Sequence, residues 1–206
     1  MKKYLFAIVA SLFAFTILFI SIFNSSSITY SFYQNGIVST DGRLILQPTG
    51  KPLYIGTVLP DGPLWGLKEL RDKVWFGITP THIRRAELAL LFADKRILIA
   101  ESLFKQGKND IALSTFIKGE EYLKVAVREE RVAREGGVDT DQFLTKFALS
   151  IIRHQEIIES LIHLVPEEAK GVILENKKYS IDAYNSVRDA LNCRNLPIPK
   201  NPFVGE

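Results

Sequence analysis

Apolar and polar residues divide the chain into two parts with different periods. An apolar run without any charge extends over residues 4–23, and the first charged residue after Lys3 is Asp41. From Leu64 onward, apolar residues recur at spacings of three and four, which is the period of amphipathic helices. The pattern therefore predicts an apolar N-terminal helix and an all-α domain, separated by a segment of different character.

The N-terminal run is long enough to cross a bilayer as a helix, and the two lysines that precede it favour an N-terminus on the inside. A cleaved signal peptide has a shorter apolar core followed by small residues, and Ser25, Ser26 and Ser27 offer such a cleavage site. We predict a single-pass anchor over residues 1–24 in the cytoplasmic membrane, with the domain outside. Cleavage near Ser27 would instead give a secreted domain, and the mass of the mature protein distinguishes the two.

Residues 25–62 are rich in Ser, Thr, Gly and Pro. The dipeptide Asp41-Gly42 separates two short runs of β-branched and aliphatic residues, a pattern typical of a β-hairpin. A single hairpin is only marginally stable in water. We therefore predict that this piece either docks on the helical domain or belongs to a flexible stalk.

Five helices are predicted within a bundle domain over residues 63–194. They are a short helix from Leu64 to near Gly77, a second from Thr79-Pro80 to Gly107, a third from Asn109 or Asp110 to about Glu135, a fourth after Asp139-Thr140, and a fifth opened by Pro166. Proline and hydroxyl residues suit helix starts and glycine suits helix ends. The tail, residues 195–206, contains three prolines and is predicted to be extended.

Each predicted helix has one apolar face. The stripes consist of Leu67, Leu70 and Val74; Ala86, Ala89, Leu90, Ala93, Ile97, Ala100 and Phe104; Ala112, Phe116, Leu123, Ala126 and Val127; Phe143, Phe147, Ile151, Ile158, Leu161 and Val165; and Val172, Ile173, Tyr179, Ala183, Val187, Ala190 and Leu191. Four long helices with short connections favour antiparallel neighbours. The predicted fold is an all-α, up-and-down bundle of four long helices with a short leading helix, in which the alanine-rich second helix occupies the middle.

Charge and cysteine content narrow the function. Lys2 and Lys3 account for two of the 26 Lys and Arg residues, which leaves 24 against 23 Asp and Glu. A nearly neutral domain lacks the basic excess of a nucleic-acid-binding protein. Because Cys193 is the single cysteine, the chain cannot form an internal disulfide. Cys193 is then either a free thiol or part of an intermolecular disulfide, and non-reducing gels distinguish the two.

The sequence from the short leading helix into the second helix also contains segments that are similar to those of a known family. The segments are residues 63–80, Arg-Ala-Glu-Leu at 85–88 and Ala-Asp-Lys-Arg-Ile at 93–97, and residues 154–169 follow further on. This pattern resembles the domain of unknown function 5667 family of exported bacterial helical proteins, over roughly residues 60–190. The chain departs from it at Ile99, where the family has an acidic residue. The resemblance implies an extracytoplasmic compartment and a helical fold, with no established activity.

The histidines are the first candidates for chemistry. His154 and His163 are predicted on one helix, about 13 Å apart along its axis, which is too far to share a metal ion. Glu159 and His163 are four positions apart and could supply two ligands, but zinc sites need three or four. We therefore predict satisfied or solvent-facing histidines, with His82 exposed.

The remaining candidates are polar and aromatic residues of the helices. Asp94 and Arg96 flank the apolar stripe of the second helix, which predicts a bundle-internal ion pair or a packed arginine stem. The aromatic side chains Trp65, Trp75 and Phe76 are predicted to be core anchors rather than a stacking platform. The charged run 128–135 is predicted to be a solvated face, with Glu130 paired to Arg134 and Arg131 to Glu135.

No nucleotide-binding loop, zinc-binding pair or nucleophile elbow is present in the sequence. We therefore predict no catalytic, cofactor-binding or metal-ligating residues and no cofactor. The main hypothesis is a non-enzymatic, membrane-tethered interaction or structural module of the cell envelope with a protein partner. The alternatives are a sensor or chaperone-like bundle that binds a metal or a misfolded chain, and an envelope hydrolase with an unrecognised site.

Overall fold

The structure, a computed structural model, describes residues 62–203 continuously. Outside that range it describes positions 4, 6, 9, 20 and 60 and the short stretches 11–17, 36–38 and 44–46. The continuous part contains helices α1 (Trp65–Ile78), α2 (His82–Lys105), α3 (Asn109–Glu135), α4 (Asp141–Ile162) and α5 (Glu167–Cys193). The predicted helical bundle, with four long helices and a short leading one, is confirmed.

The N-terminal part is described only at some positions. Residues 11–17 and positions 4, 6, 9 and 20 are helical, and their side chains are exposed. Within the described residues, no helix combines the length and the apolar character that a membrane span requires. Most of the predicted anchor over residues 1–24 lies outside the described residues, so the anchor stays a prediction.

Two short strands are described between the N-terminal part and the bundle. Strands β1 (Gly36–Val38) and β2 (Leu44–Leu46) pair antiparallel, with Ile37 opposite Ile45. Almost all the rest of residues 25–62 lies outside the described residues. The stalk, and the docking of a hairpin on the bundle, therefore remain predictions.

The four long helices form a ring in which α2 packs against α3 and α4, and α5 packs against α3 and α4. One hydrophobic cluster joins the first half of α2 to the first half of α4 and the second half of α5, and a second cluster joins the opposite ends. Helices α2 and α4 therefore run parallel, and α3 and α5 run opposite to them. The consecutive helices α3 and α4 lie diagonally across the bundle, although the chain between them is short. The prediction that short connections join antiparallel neighbours is therefore wrong for this pair, and the parallel helices α2 and α4 are neighbours instead.

Helix α2 occupies one position of the ring and does not lie in its middle, but it contacts three helices where α3, α4 and α5 contact two each. Its alanines at 86, 89, 93 and 100 are fully buried, and the helix contacts α1, α3 and α4. Helix α2 approaches α3 closely at Gly119, where an added Cβ atom would lie 3.3 Å from the Cβ atom of Arg96. Glycine is unfavourable inside a helix, and this close approach explains its presence.

Helix α1 has the predicted length but buries a different face. Leu67 and Leu70 of the predicted stripe are 60% and 54% exposed, whereas Asp72 is buried. The half-buried rings of Trp65 and Phe76 pack against the core clusters of the bundle instead. Large aromatic rings bury more apolar area than leucines, so the aromatic face of α1 turns toward α2.

The predicted start of α2 at Thr79-Pro80 is wrong by two residues. The Thr79 hydroxyl donates a hydrogen bond to the carbonyl of Trp75 over 2.7 Å, so this threonine closes α1. The predicted end at Gly107 is confirmed: this glycine has a φ of 74°, and the N–H of Lys108 donates to the carbonyl of Leu103 over 3.0 Å. Only glycine adopts that backbone conformation without strain.

The tail after α5 has no regular secondary structure over residues 195–200, but it is fixed to the bundle. The Tyr184 hydroxyl donates to the carbonyl of Pro199 over 2.6 Å. The side-chain amide of Asn201, which is buried, donates to Gln155 of α4 over 2.7 Å. The tail therefore crosses from α5 to α4 and covers the bundle there.

Candidate functional site

A fully buried histidine lies at the centre of the bundle. His154 of α4 is 0% exposed, and its Nε2 atom lies 3.1 Å from Oδ1 of Asp94 on α2. Its Nδ1 atom lies 3.2 Å from Oε1 of Glu120 on α3. Three helices therefore meet at one imidazole ring, and the contact to Glu120 crosses the diagonal of the bundle.

A serine completes this arrangement, which we call the buried polar layer: Asp94, Glu120, Ser150 and His154. Ser150 lies one helical turn before His154, and its hydroxyl donates a hydrogen bond to the same Asp94 oxygen that faces the imidazole. The second oxygen of Glu120 has no hydrogen-bond partner within the described residues. All four side chains are buried.

The charge of His154 is set by its two neighbours. Burial alone would lower the pKa of the imidazole, but hydrogen bonds to Asp94 and Glu120, together with their negative charges, raise the pKa to about 9. At neutral pH the ring is therefore an imidazolium that donates to both carboxylates. A buried charge of this kind is stable only while its partners are present.

The buried polar layer is arranged neither as a hydrolytic triad nor as a metal site. In a hydrolytic triad the serine hydroxyl bonds the histidine, whereas here Asp94 lies between Ser150 and His154. The described residues contain no group of His, Cys, Asp or Glu side chains in a metal-binding arrangement. What the arrangement can do is fix the mutual position of α2, α3 and α4.

A second unusual group lies on the other side of α2. Arg96 is 5% exposed, and its guanidinium carbon lies 5.5 Å from the ring centre of Trp65 and 5.2 Å from that of Tyr122. Its Nη1 atom has no hydrogen-bond partner within the described residues. The predicted packed stem is thus present, whereas the bundle-internal ion pair forms between Asp94 and His154 and not with Arg96.

Among the described residues, cations outnumber carboxylates around α1. The cations whose contacts and charges act on this helix are Lys68, Arg71, Lys73, Lys95, Arg96 and Lys118, and the carboxylates are Glu69 and Asp72. Burial lowers the pKa of Lys68 to about 8 and also lowers the pKa of Lys95, while the charge of Asp72 opposes both shifts. This side of the molecule is therefore electropositive.

The other sequence candidates lie apart from these groups. His163 is exposed just after α4, and Glu159 bonds Lys177, so the two do not form a site. His82 is half exposed, and its Nδ1 atom lies 2.7 Å from Oε2 of Glu129. Cys193 is an exposed free cysteine.

The charged run 128–135 is only partly a solvated face. Glu129 and Glu130 are buried, which the sequence did not predict. Burial would raise the pKa of Glu129, but hydrogen bonds from His82 and Arg128 lower it. Glu130 accepts a hydrogen bond from Arg134 over 3.0 Å, as predicted, and one from Thr140 over 2.8 Å. The predicted pair of Arg131 with Glu135 does not form within the described residues.

Sequence reasoning missed Asp94 and Glu120 as partners of His154, and Ser150 as a partner of Asp94. A signal was present, because His154 lies between Ile151 and Ile158 on the apolar stripe of α4. Glu120 has the same relation to Phe116 and Leu123 on α3. A polar residue at a core position of a stripe needs a polar partner, and several such positions on different helices predict a shared network.

No protein-family model matches the chain, and neither a curated protein nor a solved structure matches it.

Proposed function

We propose that this chain is a membrane-tethered helical module of the bacterial cell envelope that acts by binding and not by catalysis. The apolar run over residues 4–23 would hold it in the cytoplasmic membrane, with the bundle on the outer side. One observation carries the proposal: a row of large apolar side chains on α1 and the residue before it is exposed. These residues, which we call the α1 stripe, are Leu64, Leu67, Leu70 and Ile78, with exposures of 60%, 60%, 54% and 55%.

The α1 stripe differs from all the other predicted stripes, which are buried for the most part. Full burial of one such side chain contributes about 1.5–3 kcal/mol, so leaving four of them in water forgoes several kcal/mol. Contiguous exposed apolar patches are typical of binding surfaces. The stripe therefore supports a function in which α1 meets something outside the bundle.

The occupant that we propose is the lipid surface of the membrane. Amphipathic helices with apolar residues on one face and Lys or Arg beside them lie in the lipid interface. Among the described residues, six cations against two carboxylates act on α1, and this excess complements anionic headgroups. The Lys68 ammonium, 4.8 Å from the ring centre of Trp65, lies beside the stripe. The predicted anchor would keep this face near the bilayer.

The buried polar layer supports a non-enzymatic role. Its ionisable groups are 0–3% exposed and bond one another, so a substrate could reach them only if the bundle opened.

The tryptophans allow a direct test, because the only two in the chain, Trp65 and Trp75, both lie on α1. The full-length chain is placed in nanodiscs that contain anionic lipid brominated near the headgroup end of its acyl chains. We expect quenching of tryptophan fluorescence, and we expect the double variant Leu67→Gln/Leu70→Gln to lose most of it. The matched control, Leu164→Gln/Leu174→Gln, replaces two exposed leucines elsewhere and should leave quenching unchanged.

Other outcomes separate the parts of the proposal. If the tryptophan fluorescence were the same in brominated and in ordinary lipid, contact between α1 and the bilayer would be refuted. A photo-cross-linker at position 67 that labels a protein and no lipid in intact cells would make a protein partner the occupant. If alkaline phosphatase fused after residue 206 were inactive, the outer location would be contradicted. If the mass of the mature protein corresponded to a chain that starts near Ser26 or Ile28, the permanent tether would be contradicted.

A further inference from the structure

A groove lies between α3 and α5, away from the α1 stripe. Its cavity volume is about 380 Å³, within the range of small-ligand sites. One wall carries Lys124, Arg128 and Arg131 of α3, and the other carries Tyr179, Asp182 and Ser186 of α5. Small apolar side chains of both helices, Val127 and Ala183, also line it.

The cations of this groove are regularly spaced. Lys124, Arg128 and Arg131 follow one another by four and three residues, so they share one face of α3 over about 10 Å. The Lys124 ammonium lies 3.1 Å from the ring centre of Tyr179, and this cation–π contact places its charge inside the groove. The three cations form a continuous positive wall.

The positive charge of this wall is only partly balanced. Arg128 donates to Glu129 over 2.9 Å, but that carboxylate is also bonded to His82. Within the described residues, Lys124 and Arg131 have no carboxylate partner. Three cations and one carboxylate, Asp182, line the groove, so its net charge is positive.

We propose that this groove binds a phosphate-type oxyanion along the wall formed by α3. Guanidinium groups match the oxygens of phosphate with paired hydrogen bonds, and an ammonium adds a point charge. The hydroxyl of Ser186, which now donates to the main-chain carbonyl of Asp182 over 2.9 Å, lies on the opposite wall. The carboxylate of Asp182 repels an anion and keeps it close to α3.

The test uses the full-length chain in uncharged detergent at low salt, with two probes followed by calorimetry. Pyrophosphate represents a soluble phosphate, and dihexanoyl phosphatidic acid below its micelle concentration represents a lipid headgroup. We expect saturable binding that Arg128→Gln/Arg131→Gln weakens at least about tenfold, since each hydrogen bond to a charged group contributes appreciably. Asp182→Asn should tighten binding about two- to fivefold, because a nearby repulsive charge is removed.

A matched control removes two positive charges elsewhere. Arg84→Gln/Lys105→Gln replaces exposed cations of α2 and should leave the affinity unchanged. Binding of pyrophosphate alone identifies a soluble ligand, and binding of the lipid probe alone identifies a headgroup. The proposal is overturned if neither probe binds, or if the control weakens binding as much as the groove variant while both remain folded by circular dichroism.

Discussion

Helix α1 and the four helices behind it show two outcomes of the same amphipathic pattern. In α2–α5 the apolar stripes face each other, and large side chains such as Phe116 and Ile158 are completely buried. In α1 the aliphatic stripe faces water, because the aromatic rings occupy the side that meets α2. A periodic stripe thus predicts a face that needs a partner, and only the packing decides whether that partner belongs to the same chain.

The two sides of α2 differ in a similar way. Toward the centre, Asp94 meets an imidazolium and a hydroxyl, so charge and hydrogen bonds are matched. Toward α1, Arg96 lies between two rings and has no carboxylate on its guanidinium in the described residues. The first side fixes the fold, whereas the second lies beneath α1, on the electropositive side for which we propose a binding role.

The largest effect that we predict comes from breaking the buried polar layer. The substitution His154→Ala leaves Asp94 and Glu120 buried without their cation, which should lower the free energy of unfolding by about 3–5 kcal/mol. The exposed His163→Ala is the matched control and should change it by less than about 0.5 kcal/mol. Urea unfolding measures both, and a loss below about 1 kcal/mol for His154→Ala would contradict a structural role for the layer.

The charge of His154 should also make the free energy of unfolding depend on pH. The pKa of His154 is about 9 in the folded state, above the ordinary 6.5, so its contribution is complete below pH 6.5 and disappears as the pH rises to about 9. The total is about 3 kcal/mol. Lys68, whose pKa is lowered to about 8, and Lys95, whose pKa is also lowered, act in the opposite sense. The slope between pH 6.5 and 8 is therefore compared between the wild type and a His154 variant that keeps both lysines. His154→Gln should abolish the histidine's part of the slope there, and an unchanged slope would refute the assignment.

The close approach of α2 and α3 provides a smaller effect. Gly119→Leu should lower the free energy of unfolding by about 1–3 kcal/mol, since its side chain would press on Arg96 and on the backbone of α2. Gly171→Leu is the control, because an added Cβ atom there meets nothing within 4 Å. Equal effects in thermal unfolding would show that packing at Gly119 is loose.

The smallest expected effect concerns the α1 stripe. Leu67→Gln/Leu70→Gln should change the free energy of unfolding of the chain in detergent by less than about 0.5 kcal/mol, as for other surface substitutions. The core substitution Leu123→Ala should cost about 2–5 kcal/mol. If the stripe variant lost stability on the same scale, the leucines would be packed against another part of the chain, and the contrast between α1 and the bundle would disappear.

For most of the helical domain, the positions and buried faces of the helices could be predicted from residues that are close together in the sequence. Glycine at positions 107 and 137 ends α2 and α3, and the buried stripes of α2–α5 follow the spacing of their apolar residues. The face of α1 could not be predicted in this way, because Leu67 and Trp65 are both apolar and only the surface of α2 selects between them. The prediction of the start of α2 was wrong for a similar reason, since Thr79 fits either the end of one helix or the start of the next.

The buried polar layer lies beyond local rules altogether. Asp94, Glu120 and His154 are far apart in the sequence, and their meeting depends on which helices are neighbours in the ring. The order α2, α3, α5, α4 is a property of the packed bundle. The same holds for Glu130, which was predicted on the solvated face of the charged run 128–135 but accepts a hydrogen bond from the buried Thr140 inside the protein.

The diagonal step between α3 and α4 has a consequence for how the chain folds. It divides the bundle into two helical hairpins, α2–α3 and α4–α5, each held by contacts between segments that are close in sequence. Local contacts form early, since they close short loops. We expect each hairpin to form first and the docking of the two to be the slow step, at which the His154 ring must find carboxylates of the other hairpin.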